Sequence, residues 1–176
     1  MGAKLLPLSV PELCAHALAL ERDAGLRFRQ YAVRMRELDC ETVARAFDEL
    51  SREQDEEVRA LEAAAGDRKP AELSPWEYVW RLTYMPEGME HRPRLVPLSA
   101  REALQLATVA KRRAESFYSD VATHATDNMV RSCAAEMASG ELVHVRRLER
   151  LLATEMRNPE RGDSPTSGRV DARLPS

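Results

Sequence analysis

The chain has 176 residues, of which 31% are charged and only 5% aromatic, and its formal net charge is −3 at neutral pH. That length suits one domain with a single core, and the mild, well-mixed charge excludes a basic footprint for nucleic acid and a polybasic membrane anchor. No apolar run approaches a transmembrane span, and the N-terminal stretch from Met1 to Pro7 lacks the apolar centre of a secretory signal, so a cytoplasmic protein is expected.

Glycine is scarce through residues 1–65 and 100–155, where Ala, Leu, Arg and Glu dominate, which is the composition of long helices. A first helix is predicted from about 10 to about 38, opened by the capping box Ser9-x-x-Glu12. A second follows from about 40 to about 65, with Asp39 as its N-cap and Gly66 as its stop. Residues 66–98 then form a long connection with Pro70, Pro75, Pro86, Pro93 and Pro97. It carries one short helix behind the box Ser74-x-x-Glu77, running from Pro75 to Leu82. The third helix, about 100 to about 125, starts at Ser99-x-x-Glu102, and the fourth, about 128 to about 156, starts at Asp127. Residues 158–176, rich in Pro, Ser, Gly, Asp and Arg, read as a disordered tail. Two tight hairpins joined by one long crossover give an all-α, ferritin-like four-helix bundle over residues 1–157, not a simple up-down bundle.

Each long helix carries an inward stripe with steps of three and four. The first gives Ala17, Glu21, Ala24, Phe28, Tyr31, Met35 and Leu38; the second gives Val43, Phe47, Leu50, Gln54, Glu57 and Leu61. The third gives Leu104, Ala107, Lys111, Ala114, Tyr118, Val121 and Ala125, and the fourth Val130, Ala134, Met137, Glu141, His144, Leu148 and Leu151. Every stripe is apolar except near its middle, where Glu21, Gln54, Glu57, Lys111, Glu141 and His144 interrupt it. Counted from the turns near Asp39 and Thr126, all six are expected roughly 22–27 Å from the same end of the bundle. One carboxylate from each of two helices, with Glu-x-x-His from the other two, is the di-iron carboxylate arrangement, and Glu141-Leu142-Val143-His144 keeps that motif intact. A shifted register on the second helix would present Glu53 and Glu56. It would also turn Ala46, Glu49 and Ala60 inward in place of Phe47, Leu50 and Leu61, so the first register is preferred.

These residues carry a family resemblance. Glu21-x-x-Ala24-x-x-x-Phe28 resembles the first helix of rubrerythrins, and Phe47-x-x-Leu50-Ser51-x-Glu53-Gln54-x-x-Glu57 fits the second. Ala107-x-x-x-Lys111-x-x-Ala114-x-x-Phe117-Tyr118 is similar to the third, and the stretch from Ala135 to Val145 to the fourth. The resemblance implies a non-haem iron oxidoreductase that binds two irons and reduces peroxide, or a ferritin-like handler of iron. It also implies pairing into a homodimer, and the aromatic crossover residues Trp76, Tyr78, Trp80 and Tyr84 would either cover the bundle edge or form the dimer surface. The departures are specific. Gln54 stands where the family has glutamate, Glu57 where it has the following histidine, and Lys111 where the third helix supplies glutamate. Cys14, Cys40 and Cys133 form no C-x-x-C pair, so the chain has no rubredoxin-type iron site, and they read as small apolar residues.

Counting Glu21, Glu57 and Glu141 against Lys111 gives the layer a net charge of about −2, enough for one divalent ion but short of two. Three states stay open. Lys111 can replace the second cation beside a single Fe, Mn or Zn ion held by Glu21, Glu57, Glu141 and His144. It can pair with Glu21 or Glu141 and leave a metal-free scaffold or interaction protein. Or, as a neutral ligand, it can complete a working two-metal centre. Tyr31 and Tyr118 read as core aromatics that would serve a redox site as hydrogen-bond or radical partners. His16, His91 and His124 read as solvated or capping residues.

Overall fold

The computed structural model describes residues 6–7, 9–65, 71, 97 and 99–158. They form four α-helices: α1 (Val10–Glu37), α2 (Glu41–Ala65), α3 (Ala100–His124) and α4 (Asn128–Arg157). The expected short crossover helix, the Ser74 box, the stop at Gly66, His91, the aromatic cluster and the tail after 158 lie outside the described residues.

Local chemistry sets the helix ends. Ser9 Oγ accepts from Glu12 N at 3.4 Å and Ser99 Oγ from Glu102 N at 3.2 Å, each occupying an amide that the first turn leaves unpaired. Asp127 Oδ1 takes two such amides, from Met129 and Val130. Asp39 behaves differently from the expected N-cap of the second helix. Its φ of 58° is left-handed, Asp39 N donates to Arg36 O at 3.1 Å, and Cys40 N donates to Met35 O at 2.9 Å. This is a Schellman closure of α1, so Asp39 ends the first helix instead of opening the second.

The four apolar stripes pack into two clusters stacked along the bundle. One joins Phe28, Tyr31 and Met35 of α1 and Val43, Phe47 and Leu50 of α2 to Ala100, Ala103 and Leu104 of α3 and Leu148 of α4. The other joins Leu13 and Ala17 of α1 to Phe117, Tyr118 and Val121 of α3 and Val130 and Ala134 of α4, with Leu61 of α2 against it. The start of α3 thus sits beside the α1–α2 turn, and the α3–α4 turn sits beside the start of α1. Hydrogen bonds agree: Ala71 N donates to Pro11 O at 3.4 Å, and the Arg34 side chain donates through Nε to Pro97 O at 3.1 Å.

The two hairpin turns therefore lie at opposite ends, which corrects the expectation that the polar residues are measured from one shared end. The chain between α2 and α3 must travel the length of the bundle, and that reverses the second hairpin. The six residues still share a level because each break falls near mid-helix, where either end is about equally far. Glu21 and Lys111 stand 11 residues beyond the first residue of their helices, Gln54 and Glu141 13. With this topology α1 and α4 run parallel, and so do α2 and α3.

Candidate metal centre

The layer between the two apolar clusters is built around Lys111, which is fully buried. Its Nζ donates to Glu21 Oε2 at 3.0 Å, to Glu141 Oε1 at 3.0 Å, and to Gln54 Oε1. An ammonium has three N–H bonds, and here each has an acceptor from a different helix. Gln54 relays the pattern outward, its Nε2 donating to Glu57 Oε2 at 2.9 Å. A carboxamide accepts from lysine through its oxygen and donates to glutamate through its nitrogen at once, so glutamine at this position fits a cation-centred layer.

Gly25 lets α1 and α2 close tightly enough for this. A Cβ on Gly25 would lie 3.4 Å from Gln54 Cβ, and Ser51 Oγ donates to Gly25 O at 3.2 Å. Arg29 fastens the outside of the same contact, reaching Ser51 Oγ at 3.1 Å and Asp55 at 3.0 Å. Glu21, one turn before Gly25, is thereby held against α2 as well as α3.

Charge is distributed unevenly among the acids. Burial alone would raise the Glu21 carboxyl, but the Lys111 ammonium overcomes it and holds Glu21 below the ordinary carboxylate value. For Glu141 burial prevails over Lys111, and the nearby Glu21 adds to it, so its acid form persists well above the ordinary range. Two carboxylates sharing one buried cation cannot both ionise freely, and a proton stays with the pair. Glu57 is pushed up to about 7, by burial first and then by Glu21. Lys111 itself is raised: burial opposes its charge, but Glu141, Glu21 and Glu57 outweigh burial. The layer's negative charge is thus smaller than the −2 obtained by counting every acid as ionised.

His144 stands at the edge where α2 meets α4. Its Nε2 is 3.5 Å from Glu53 Oε2 and 3.6 Å from Glu57 Oε1, and burial followed by the Lys111 charge lowers its pKa. Arg147, one turn on, holds Glu53 at 2.6 Å and also pairs with Glu49. Glu53 was set aside with the rejected register, yet it reaches the layer's mouth. The signal for it was the i, i+4 series Glu49, Glu53 and Glu57, which lines the α2 edge facing α4. His144 Nδ1, Glu141 Oε2 and the Tyr118 hydroxyl are buried with no hydrogen-bond partner among the described residues. No group of three or more His, Cys, Asp or Glu among them is placed to hold a metal ion.

Tyr31 packs edge-on against Phe47, with centroids 5.4 Å apart, in the apolar cluster near the α1–α2 turn. His16, expected in solvent, is instead buried against Phe117 at 5.3 Å. It lies on the α1 flank turned to α3, where a ring can pack without being part of the central stripe. His124 is exposed near the end of α3, its Nδ1 3.0 Å from Asp120 O.

The family model named Rubrerythrin matches residues 12–152, a span that takes in α2, α3, most of α1 and α4, and the whole layer. The crystal structure of an uncharacterized conserved protein from Magnetospirillum magnetotacticum MS-1 superposes with a TM-score of 0.69. It is 23% identical, and the match covers 83% of this chain and 95% of that one, which shows a shared fold. No curated protein matches the chain. With its four helices, their interrupted stripes and the family match over most of its length, the chain belongs to the rubrerythrin family of the ferritin-like superfamily.

Proposed function

We propose that the buried layer is an ammonium centre in place of a metal centre, and that the protein acts as a scaffold or interaction protein on the rubrerythrin bundle. The observation that carries this reading is Lys111, buried, with all three N–H bonds accepted by Glu21, Gln54 and Glu141. The family implies a pair of irons. The donor set here does not fit two such ions: one position is a neutral carboxamide, one a protonated amine, and the amine occupies the space between two of the acids. A cation of charge +1 with one carboxylate and a retained proton satisfies the layer, where two divalent ions would need several more negative charges.

A second reading has its own support. The neutral imidazole of His144 faces Glu53 and Glu57 at the half-open α2–α4 edge, and a small movement of these side chains would let them share one divalent ion (Fe, Mn or Zn). The deciding measurement is metal content per chain by mass spectrometry, after expression with iron, manganese and zinc supplied. The ammonium reading expects no bound ion and no peroxide turnover by the reduced protein. One ion per chain, lost in Glu57→Ala but kept in Glu21→Gln, would favour the mouth site. Two tightly held irons with peroxide turnover would restore the oxidoreductase and sink both readings.

A cytoplasmic homodimer completes the proposal. No described helix is long and apolar enough to cross a membrane. Light scattering on the purified chain tests pairing, with twice the chain mass expected.

A further inference from the structure

Two thiols outside the layer lie on parallel helices near the same end of the bundle. Cys14 of α1 and Cys133 of α4 are free and half-buried, whereas Cys40 is fully buried beside the α1–α2 turn. α1 and α4 start at the same end of the bundle and approach within 8 Å between Cα atoms. Cys14 precedes Glu21 by seven residues and Cys133 precedes Glu141 by eight, which puts both thiols about 10–12 Å below the polar layer. Cys14 adjoins Leu13, and Cys133 adjoins Ala134 and packs directly on the cluster to which both of those residues belong.

Their directions also agree. At about 100° per residue, Cys14 projects within roughly 20° of Gly25, whose carbonyl meets Ser51 of α2. Cys133 projects within roughly 40° of Arg147, whose guanidinium reaches Glu49 and Glu53 of α2. Both side chains therefore leave their helices on the α2-facing side of the α1–α4 pair. The Cys14 thiol is raised by burial first and then by Cys133.

We propose that Cys14 and Cys133 form a dithiol that a hydroperoxide converts into an intramolecular disulfide, tying α1 to α4 below the polar layer. One thiolate attacks the peroxide and becomes a sulfenic acid, releasing an alcohol or water. The second thiol then attacks that sulfur and releases water. Two S–H bonds are lost and one S–S bond forms, and the two electrons and two protons go to the peroxide. The bond closes a loop that spans most of the chain, so the oxidised form has the higher Tm. This reaction needs no metal and is independent of how the polar layer is occupied.

The test uses the full-length reduced protein, treated with chelator and then with equimolar hydrogen peroxide, and alkylated after acid denaturation. The expected product is monomeric, about 2 Da lighter before alkylation, with one alkylated thiol at Cys40 and a peptide linking Cys14 to Cys133. Dithiothreitol should restore three alkylatable thiols. Cys14→Ser and Cys133→Ser, checked as folded by circular dichroism, should each form no internal link and instead accumulate a dimedone-reactive sulfenic acid at the remaining partner. Peroxide-treated wild type with all three thiols still alkylatable, a link through Cys40, or a link only between chains would overturn the proposal. The wild-type peptide map decides this even if either variant fails to fold.

Discussion

At the residue scale, Lys111 determines what its neighbours can be. A buried ammonium is tolerated because three acceptors surround it, and those acceptors are tolerated because the ammonium is there. Lys111→Met should therefore cost about 3–5 kcal/mol in urea unfolding, since it leaves Glu21 and Glu141 buried without their cation. Adding Glu21→Gln and Glu141→Gln to that variant should recover most of the loss, because neither acid that shared the buried cation then remains. Glu57 gives a pH signature of definite sign. Its acid is raised from 4.5 to about 7, so the folded protein holds this proton more tightly than the unfolded chain does. The stability it contributes is complete below its unfolded value and disappears as pH rises through about 7. Glu57→Gln should thus gain Tm relative to wild type between about pH 5 and about pH 8, and equal shifts at both pH values would refute the assignment. Membership of the layer was legible in the sequence, because a polar residue breaks each apolar stripe. The proton inventory was not, because it depends on which acids share one buried cation, and no spacing rule encodes that.

At the element scale, the α1–α2 turn shows how one letter can carry two meanings. Aspartate favours helix N-caps and also tolerates the left-handed region, and only Leu38, Asp39 and Cys40 separate the two helices. The Schellman bonds to Met35 and Arg36 resolve the competition by placing Asp39 at φ 58°. Glycine adopts that conformation without strain, so Asp39→Gly should stabilise the bundle by about 0.5–1 kcal/mol in chemical denaturation. Asp127→Ala should do the reverse, costing about 1 kcal/mol, because Asp127 fills a true N-cap with two amides on its side chain. Several acids of α2 find their partners on neighbouring helices. In the fold Asp48 pairs with Arg36 and Asp55 with Arg29, both on α1, while Glu49 and Glu53 pair with Arg147 on α4. Each exposed pair contributes little, but the series marks which α2 edge meets each neighbour. Sequence spacing gives the charges on a helix face, whereas their partners depend on the neighbouring helix.

At the scale of the whole molecule, the long crossover governs the geometry. Four amphipathic stripes and two short turns were enough to read a ferritin-like bundle, yet the shared-end picture failed because the turns alone do not say how the hairpins are oriented. The contacts of Ala71 with Pro11 and of Pro97 with Arg34 supply the missing fact: the chain leaves α2 at one end and enters α3 at the other. Because Lys111 lies near the middle of α3, it stays level with Glu21 of α1 and Glu141 of α4 in that orientation, and their meeting predicts how the layer would respond to a restored acid. Lys111→Glu would put a fourth carboxylate among Glu21, Glu57 and Glu141, with His144 beside them. Without metal these acids repel, so the chelated variant should melt well below wild type. With Fe²⁺, Mn²⁺ or Zn²⁺ the folded state alone presents the assembled ligands, so binding should raise the variant's Tm in proportion to the logarithm of metal concentration. Wild type should show no such dependence, since its ammonium already holds the central position. A variant that stays folded but gains no Tm with any of the three metals would mean that more than Lys111 separates this bundle from a metal centre. Gln54 would be the next residue to test, because it is the other place where a ligand carboxylate has been replaced by a neutral group.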